Sequence, residues 1–211
     1  MLRLMVRIED LIERGLHLFH IPAGEPVVGK LSFYIKELSK WNDRVNLTGF
    51  KDIRSIVEVL LYDTFFLHTQ RGPLGSTLDV GSGSGIVAIP LKILNPEMEV
   101  FAIDSSLRKV QFQRHISRNV PLEKFHPIHG RIESLDPIGV DTLVAKAFGP
   151  IPKILSLGGA HLREGGKAYI MKGMNEEAAE VPGFTLKETV PYRLFSADRS
   201  YRLYIYLKQA A

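Results

Sequence analysis

Residues 78–90 read LDVGSGSGIVAIP, with Gly81, Gly83 and Gly85 at alternate positions directly after a short apolar run. A strand that enters such a loop and leaves as a helix is the opening unit of an α/β domain. Glycines there let backbone N–H groups come close to a ligand. The loop is not a P-loop, because no Lys-Ser or Lys-Thr follows it. A dinucleotide fingerprint needs GxGxxG, and its sixth position here is Ile86. Pro90 adds a second constraint. Proline is tolerated in the first helical turn and costly deeper inside, so the helix is expected to begin near Ile89, with 86–88 widening the loop.

From this loop onward the pattern alternates. Strands are expected at TLDV, EVFAID, FHPIHG, DTLVAKAF and KAYIMKG. Helices are expected at IPLKILN, at LRKVQFQRHISRNV, at PKILSLGGAHL (stopping at Gly165-Gly166) and at NEEAAEV. FTLKETVPYRL and SYRLYIYLKQ finish as two strands with only a polar loop between them, and so should pair antiparallel at the sheet edge. Alternating strands and helices predict a mostly parallel, seven-stranded, doubly wound sheet with its ligand crevice at the carboxyl ends of the strands. Before the loop the period is helical: Leu4, Ile8, Leu11 and Ile12, then Val27, Leu31, Tyr34, Ile35, Leu38 and Trp41, then DIRSIVEVLLYDTFFLH with Asp52 as its cap. RGPLGS breaks that pattern. The expected organisation is a helical extension over 1–70 and a ligand-binding domain over 71–211.

The chain of 211 residues has no Cys, which removes disulfides, thiolate metal sites, iron–sulfur clusters and Cys nucleophiles. The start of the chain is interrupted by Arg3, Arg7, Glu9 and Asp10, unlike a signal-peptide core, and no apolar run reaches the length of a membrane span. The expectation is a cytoplasmic protein without membrane association. Of the net charge of +4, none arises in residues 1–70, where nine basic residues balance nine acidic ones. Residues 108–131 hold Arg108, Lys109, Arg114, Arg118, Lys124 and Arg131 against Glu123 alone. On charge alone a polyanionic partner and a solvated helix face are equal readings.

Asp104 ends EVFAID, about twenty residues past the loop, where a carboxylate can accept from both ribose hydroxyls. Each piece has a plain structural explanation, a tight turn or a helix cap. Together, in this order, they point to a nucleoside site.

Asp79 two residues before Gly81 completes DxGxGxG, which resembles the first motif of class I S-adenosylmethionine (AdoMet) methyltransferases. Further segments narrow the resemblance. WNDRVNLTG (41–49), GSGSGIVAIPLKIL, IDSSLRKVQFQ, GRIESL and the Lys172-Gly173 pair are similar, in order and spacing from about residue 25 to 205, to the bacterial RsmG (GidB) family. That resemblance implies a Rossmann-like class I fold and methyl transfer from AdoMet to N7 of a guanine in 16S rRNA. It also implies 16S rRNA or the small ribosomal subunit as partner; a monomer is expected. Carried over, the cofactor contacts fall on Asp79, Gly81, Ser82, Gly83, Gly85, Ile86, Asp104, Ser105, Ile132, Glu133 and Lys146. The family's Ser-Arg-Ala segment reads Ala145-Lys146-Ala147 here, which keeps the charge but loses the guanidinium fork. Val87-Ala88 stands where the family commonly has Pro-Gly.

Guanine N7 carries a free lone pair at neutral pH, so no general base is expected. Lys146, Phe148 and Lys172 are the positioning candidates, and Arg108, Lys109, Arg114 and Arg118 the RNA-binding candidates. No metal is expected; His126 and His129 have no third ligand nearby in sequence. Trp41, Asn42 and Asn46 are expected to pin the extension to the core. Three other functions stay open on the residues alone: a methyltransferase of another substrate, an NAD-type oxidoreductase, and an RNA-binding protein without turnover.

Overall fold

The structure is a computed structural model that describes residues 7–70, 75–194 and 200–210. Leu4, most of RGPLGS and most of the loop between the last two strands lie outside them, as does the 70/71 boundary. The described helical extension comprises α1 (Ile8–Leu18), α2 (Glu25–Val45) and a rod made of α3 (Ile53–Ser55), a π-helical turn (Ile56–Leu61) and α4 (Tyr62–Gln70). Asp52 caps the rod by accepting from the Ser55 N–H at 2.7 Å. The sheet follows as β1 (Thr77–Val80), β2 (Val100–Asp104), β3 (Phe125–His129), β4 (Val140–Lys146), β5 (Leu162–Gly173), β6 (Phe184–Arg193) and β7 (Ser200–Lys208). Between these run α5 (Ala88–Leu94), α6 (Leu107–Asn119) and α7 (Ile151–Gly158).

The seven strands are ordered β3-β2-β1-β4-β5-β7-β6. The β3-β2-β1-β4-β5 pairings are parallel, and β7 runs antiparallel to both β5 and β6. The α/β class, the mostly parallel sheet and the antiparallel C-terminal hairpin are therefore as the alternation predicted. Chain order reverses at β1/β4, so the carboxyl ends of these strands diverge and open a crevice.

One core joins the extension to the sheet. Leu31, Tyr34, Ile35, Leu38 and Phe65 share a buried cluster with Ile89, Phe112, Val144 and Leu203. The opposite face packs Leu78, Leu143 and Ile170 against Ile154 and Leu155 of α7. Asn42 stitches the loop after α2, its Nδ2 donating to the Phe50 carbonyl at 2.7 Å and its Oδ1 accepting from the Thr48 N–H at 2.8 Å. Trp41 packs edge-on against Phe112, with ring centroids 5.4 Å apart. The Trp41 contact reaches α6 and is the pinning expected for this segment, whereas Asn42 fastens a loop within the extension. Asn46 ends α2 in a left-handed conformation, φ 47°.

Three local expectations fail. NEEAAEV (175–181) is not a helix, because β7 takes its backbone groups. The Tyr206 hydroxyl donates to the Ala179 carbonyl and accepts from the Ala179 N–H, and the Tyr204 hydroxyl donates to the Glu176 carbonyl. The helix placed over PKILSLGGAHL ends at Gly158 and tightens into a 3-10 turn over Gly159–His161, and Gly165-Gly166 falls inside β5. There the β4–β5 register slips between Val140 and Thr142, and Gly165 takes φ +72°. The two glycines mark a bulge and not a helix stop. The strand expected over DTLVAKAF ends at Lys146, because Ala147 turns to φ +56°.

Candidate active site

The glycine loop follows β1, with Gly81, Gly83 and Gly85 all at positive φ, +67°, +59° and +75°. Only Gly81 and Gly85 are also crowded. A Cβ on Gly81 would lie 2.2 Å from Phe148 Cδ2, and one on Gly85 2.7 Å from Ile89 Cδ1. The helix after the loop starts at Ala88, one residue before the position Pro90 suggested.

The loop is tied down from four sides. The Ser82 N–H donates to the Ile103 carbonyl at 2.9 Å, and the Gly83 N–H to Asp104 Oδ2 at 2.9 Å. Gln113 of α6 donates through Nε2 to Ser82 Oγ at 2.8 Å and to the Gly83 carbonyl at 2.7 Å. From the extension, the Tyr34 hydroxyl donates to the Ser84 carbonyl at 3.2 Å and the Thr64 hydroxyl to the Ile86 carbonyl at 2.8 Å. Asp79 is buried and its Oδ2 accepts from the Ala88 N–H at 3.2 Å. Burial pushes its carboxyl up to about 7, against the pull of that hydrogen bond. Asp79 shapes the loop from beneath and does not line the crevice.

A cleft of about 360 Å³ opens beside the loop. Of the residues singled out in the sequence it brings together Gly81, Asp104, Ser105, Lys109, Ile132, Glu133 and Phe148. Asp104 Oδ1 accepts from the Ser106 N–H at 2.8 Å, and its Oδ2 takes the Gly83 N–H. An ionised carboxylate has about four acceptor sites, so two stay available for a diol. Ile132 and Glu133 sit in a 3-10 turn. The buried His161 steadies that turn, its Nε2 donating to the Ile132 carbonyl at 3.2 Å. A carboxylate, a steadied turn and a glycine backbone around one cleft fit a nucleoside with a polar tail.

Lys146 and Lys172 do not line this cleft. They line a second cavity of about 480 Å³, with Ala147 common to both. Lys146 Nζ lies 2.5 Å from Asp63 Oδ2 of α4, and the Tyr192 hydroxyl donates to Asp63 Oδ1 at 2.6 Å. Lys172 pairs with Glu176 at 2.8 Å and also donates to the Gly149 carbonyl. Asp63, Tyr192 and Glu176 were not picked out in the sequence. The one available signal was Asp63 itself, a lone acid inside the apolar run VLLYDTFFL.

Of the basic set, Arg108, Arg114 and Arg118 are exposed on α6, and Lys109 turns into the first cleft. The two histidines have other partners: His126 Nε2 lies 3.0 Å from Glu99 Oε1, and His129 Nε2 3.2 Å from the Ser105 carbonyl. No helix among the described residues is long and apolar enough to cross a membrane.

Known proteins share this architecture. A SAM-dependent methyltransferase from Aquifex aeolicus superposes with a TM-score of 0.58 at 16% identity, over 82% of this chain and 98% of that one. TYW2 of M. jannaschii, solved in complex with AdoMet, superposes with a TM-score of 0.56 at 13% identity, over 71% and 76%. These likenesses show the class I methyltransferase fold. Sequence relatives are nearer. Ribosomal RNA small subunit methyltransferase G of Geobacter metallireducens is 34% identical over 202 residues, 90% of this chain and 92% of that protein. The protein of the same name from Xanthomonas euvesicatoria is 33% identical over 187 residues, 87% of each chain. The family model for GidB, rRNA small subunit methyltransferase G, matches residues 28–189, and the chain belongs to that family.

Proposed function

We propose that the protein transfers a methyl group from AdoMet to N7 of a guanine in 16S rRNA, acting as a monomer on the small ribosomal subunit in the cytoplasm. The observation that carries the reading is Asp104. One carboxylate buttresses the glycine loop through Gly83 and the start of α6 through Ser106, and still faces the cleft shared with Ile132 and Glu133. AdoMet supplies an electrophilic methyl on a sulfonium. Asp104 and Ser105 would hold its ribose, the Ile132-Glu133 turn its adenine, and the loop from Gly81 through Ser82, Gly83 and Gly85 to Ile86 its amino-acid end. Asp79 keeps that loop in shape.

Guanine N7 attacks with its own lone pair, so the site needs no residue to take a proton. Rate then comes from holding two reactants in line; orientation of this kind is worth up to ~7–11 kcal/mol. Phe148, packed on Gly81 at the mouth of the cleft, and the two lysine pairs beyond Ala147 are placed to orient the nucleotide. The exposed arginines of α6 supply sequence-independent attraction to phosphate.

Calorimetric titration tests the cofactor half of the reading. The wild-type protein binds AdoMet, Asp104→Ala weakens binding at least about tenfold, and NADH does not compete. Competition by NADH, or AdoMet binding indifferent to Asp104→Ala, would overturn it.

A further inference from the structure

The second cavity is a different kind of site from the first. Its ionisable lining is Asp63, Glu176, Lys146 and Lys172 with the phenols of Tyr192 and Tyr201, and the lysines and carboxylates neutralise one another in pairs at 2.5 and 2.8 Å. A phosphate pocket requires cation in excess. A wall of balanced ion pairs, already made and largely buried, suits a neutral polar ligand.

Two features say which. Phe66, Tyr192 and Tyr201 form a stack, with centroids 3.9 Å apart at 16° and 5.5 Å apart at 24°, and both tyrosines line the cavity. Tyr192 lies between its two neighbours and Tyr201 ends the stack at the cavity wall, and a flat base stacks on such a ring. Glu176 is the accessible acid, its side chain one-third exposed, whereas Asp63 is sealed at 2%. Glu176 Oε1 accepts from the Ile151 N–H at 3.0 Å and Oε2 from Lys172, leaving one acceptor site on each oxygen. Its main chain is fixed by the Tyr204 hydroxyl, at 2.5 Å from its carbonyl.

We propose that this cavity receives the unstacked target base, and that the Glu176 carboxylate reads guanine through its adjacent N1–H and N2–H donors. Adenine offers an acceptor at N1 and uracil one donor between two carbonyls, so both are repelled where guanine is held. N7 lies on the far side of guanine from that edge. A base gripped at Glu176 therefore turns N7 away from it, and the cofactor cleft adjoins the cavity at Ala147, which lines both. The inference rests on the methyltransferase reading above and adds the origin of its choice of base.

The experiment uses small subunits reconstituted with the methylated guanine, once mapped, replaced by inosine, which lacks the N2 amino group. With wild-type protein the replacement lowers kcat/KM about tenfold. Glu176→Gln lowers kcat/KM for the guanine substrate by a similar factor, leaves the AdoMet Kd within about twofold, and responds to inosine less than about threefold, since the two changes remove one interaction. Inosine methylated at the full rate by the wild-type protein would overturn the proposal and requires no variant. So would multiplying effects of the two changes. Absence of any transfer by the wild-type protein to unmodified guanine would instead sink the methyltransferase reading itself.

Discussion

Asp63 and Lys146 meet at 2.5 Å, one on the helical extension and the other at the carboxyl end of β4. Tyr192, 129 positions from Asp63, closes the triad from β6. The extension is thus more than a cover for one face of the sheet: α4 delivers the counter-charge for a lysine in the wall of the second cavity. Asp63→Asn keeps the shape and the acceptor for Tyr192 but strands a buried ammonium. Breaking such a pair costs ~3–5 kcal/mol, and urea denaturation should show a loss of that order. Asp63→Asn combined with Lys146→Met should recover much of it. Simple additivity of the two changes would mean that the pair is not coupled.

The glycine loop separates two effects that sequence alone treats as one. Gly81→Ala meets both a left-handed backbone and the Phe148 ring, whereas Gly83→Ala meets only the backbone, its nearest neighbour being the Gly81 carbonyl at 4.0 Å. Gly83→Ala should cost ~1–2 kcal/mol, and Gly81→Ala clearly more. Gly81→Ala should also weaken AdoMet binding by displacing Phe148. Thermal melts and AdoMet titration of both variants check the order. Equal losses would contradict the packing of Phe148 on Gly81.

Asp79 gives the fold a pH signature. Its carboxyl is ordinarily near 3.8 and burial holds it at about 7 in the fold, so between these values the folded state binds a proton that the unfolded chain has released. Its contribution to stability is full below about pH 4 and is lost as pH rises through 7. Asp79→Asn, whose amide oxygen still accepts from Ala88, removes that slope. The stability of the wild-type protein relative to the variant should therefore fall steadily from pH 4 to 7 in denaturant titrations. A flat difference would mean that Asp79 is ionised in the fold.

The α6 arginines are exposed, and the proposed function has them meet the RNA through charge alone. Replacing Arg108, Arg114 and Arg118 by Gln should lower the slope of log affinity against log salt by ~0.7–0.9 for each phosphate that an arginine no longer neutralises, with the AdoMet Kd unchanged. An unaltered salt slope would move the RNA path to another face.

What the sequence made legible follows from range. The glycine loop and Asp104 use residue types that a local backbone dictates, and both lie where the strand–helix rhythm put them, whereas Ile132 and Glu133 were reached only through the family resemblance. The Asp52 cap was readable for the same reason as the loop. The triad of Asp63, Lys146 and Tyr192 was not, since nothing local distinguishes an acid that meets its partners only across the folded sheet. NEEAAEV misled for a related reason: its own propensity is helical, but Tyr204 and Tyr206 of β7 bond its backbone groups in place of a helix. Gly165-Gly166 read as a helix stop because a bulge and a stop use the same residue.

The most direct test of the whole account is methyl transfer from labelled AdoMet to small subunits lacking the modification, mapped by chemical cleavage selective for 7-methylguanine. The account predicts one labelled guanine in 16S rRNA, cleaved at that position, and labelling at least about tenfold slower with Asp104→Ala at AdoMet concentrations below its Kd. Label on another atom or another RNA, or AdoMet binding without any transfer to these subunits, would contradict it.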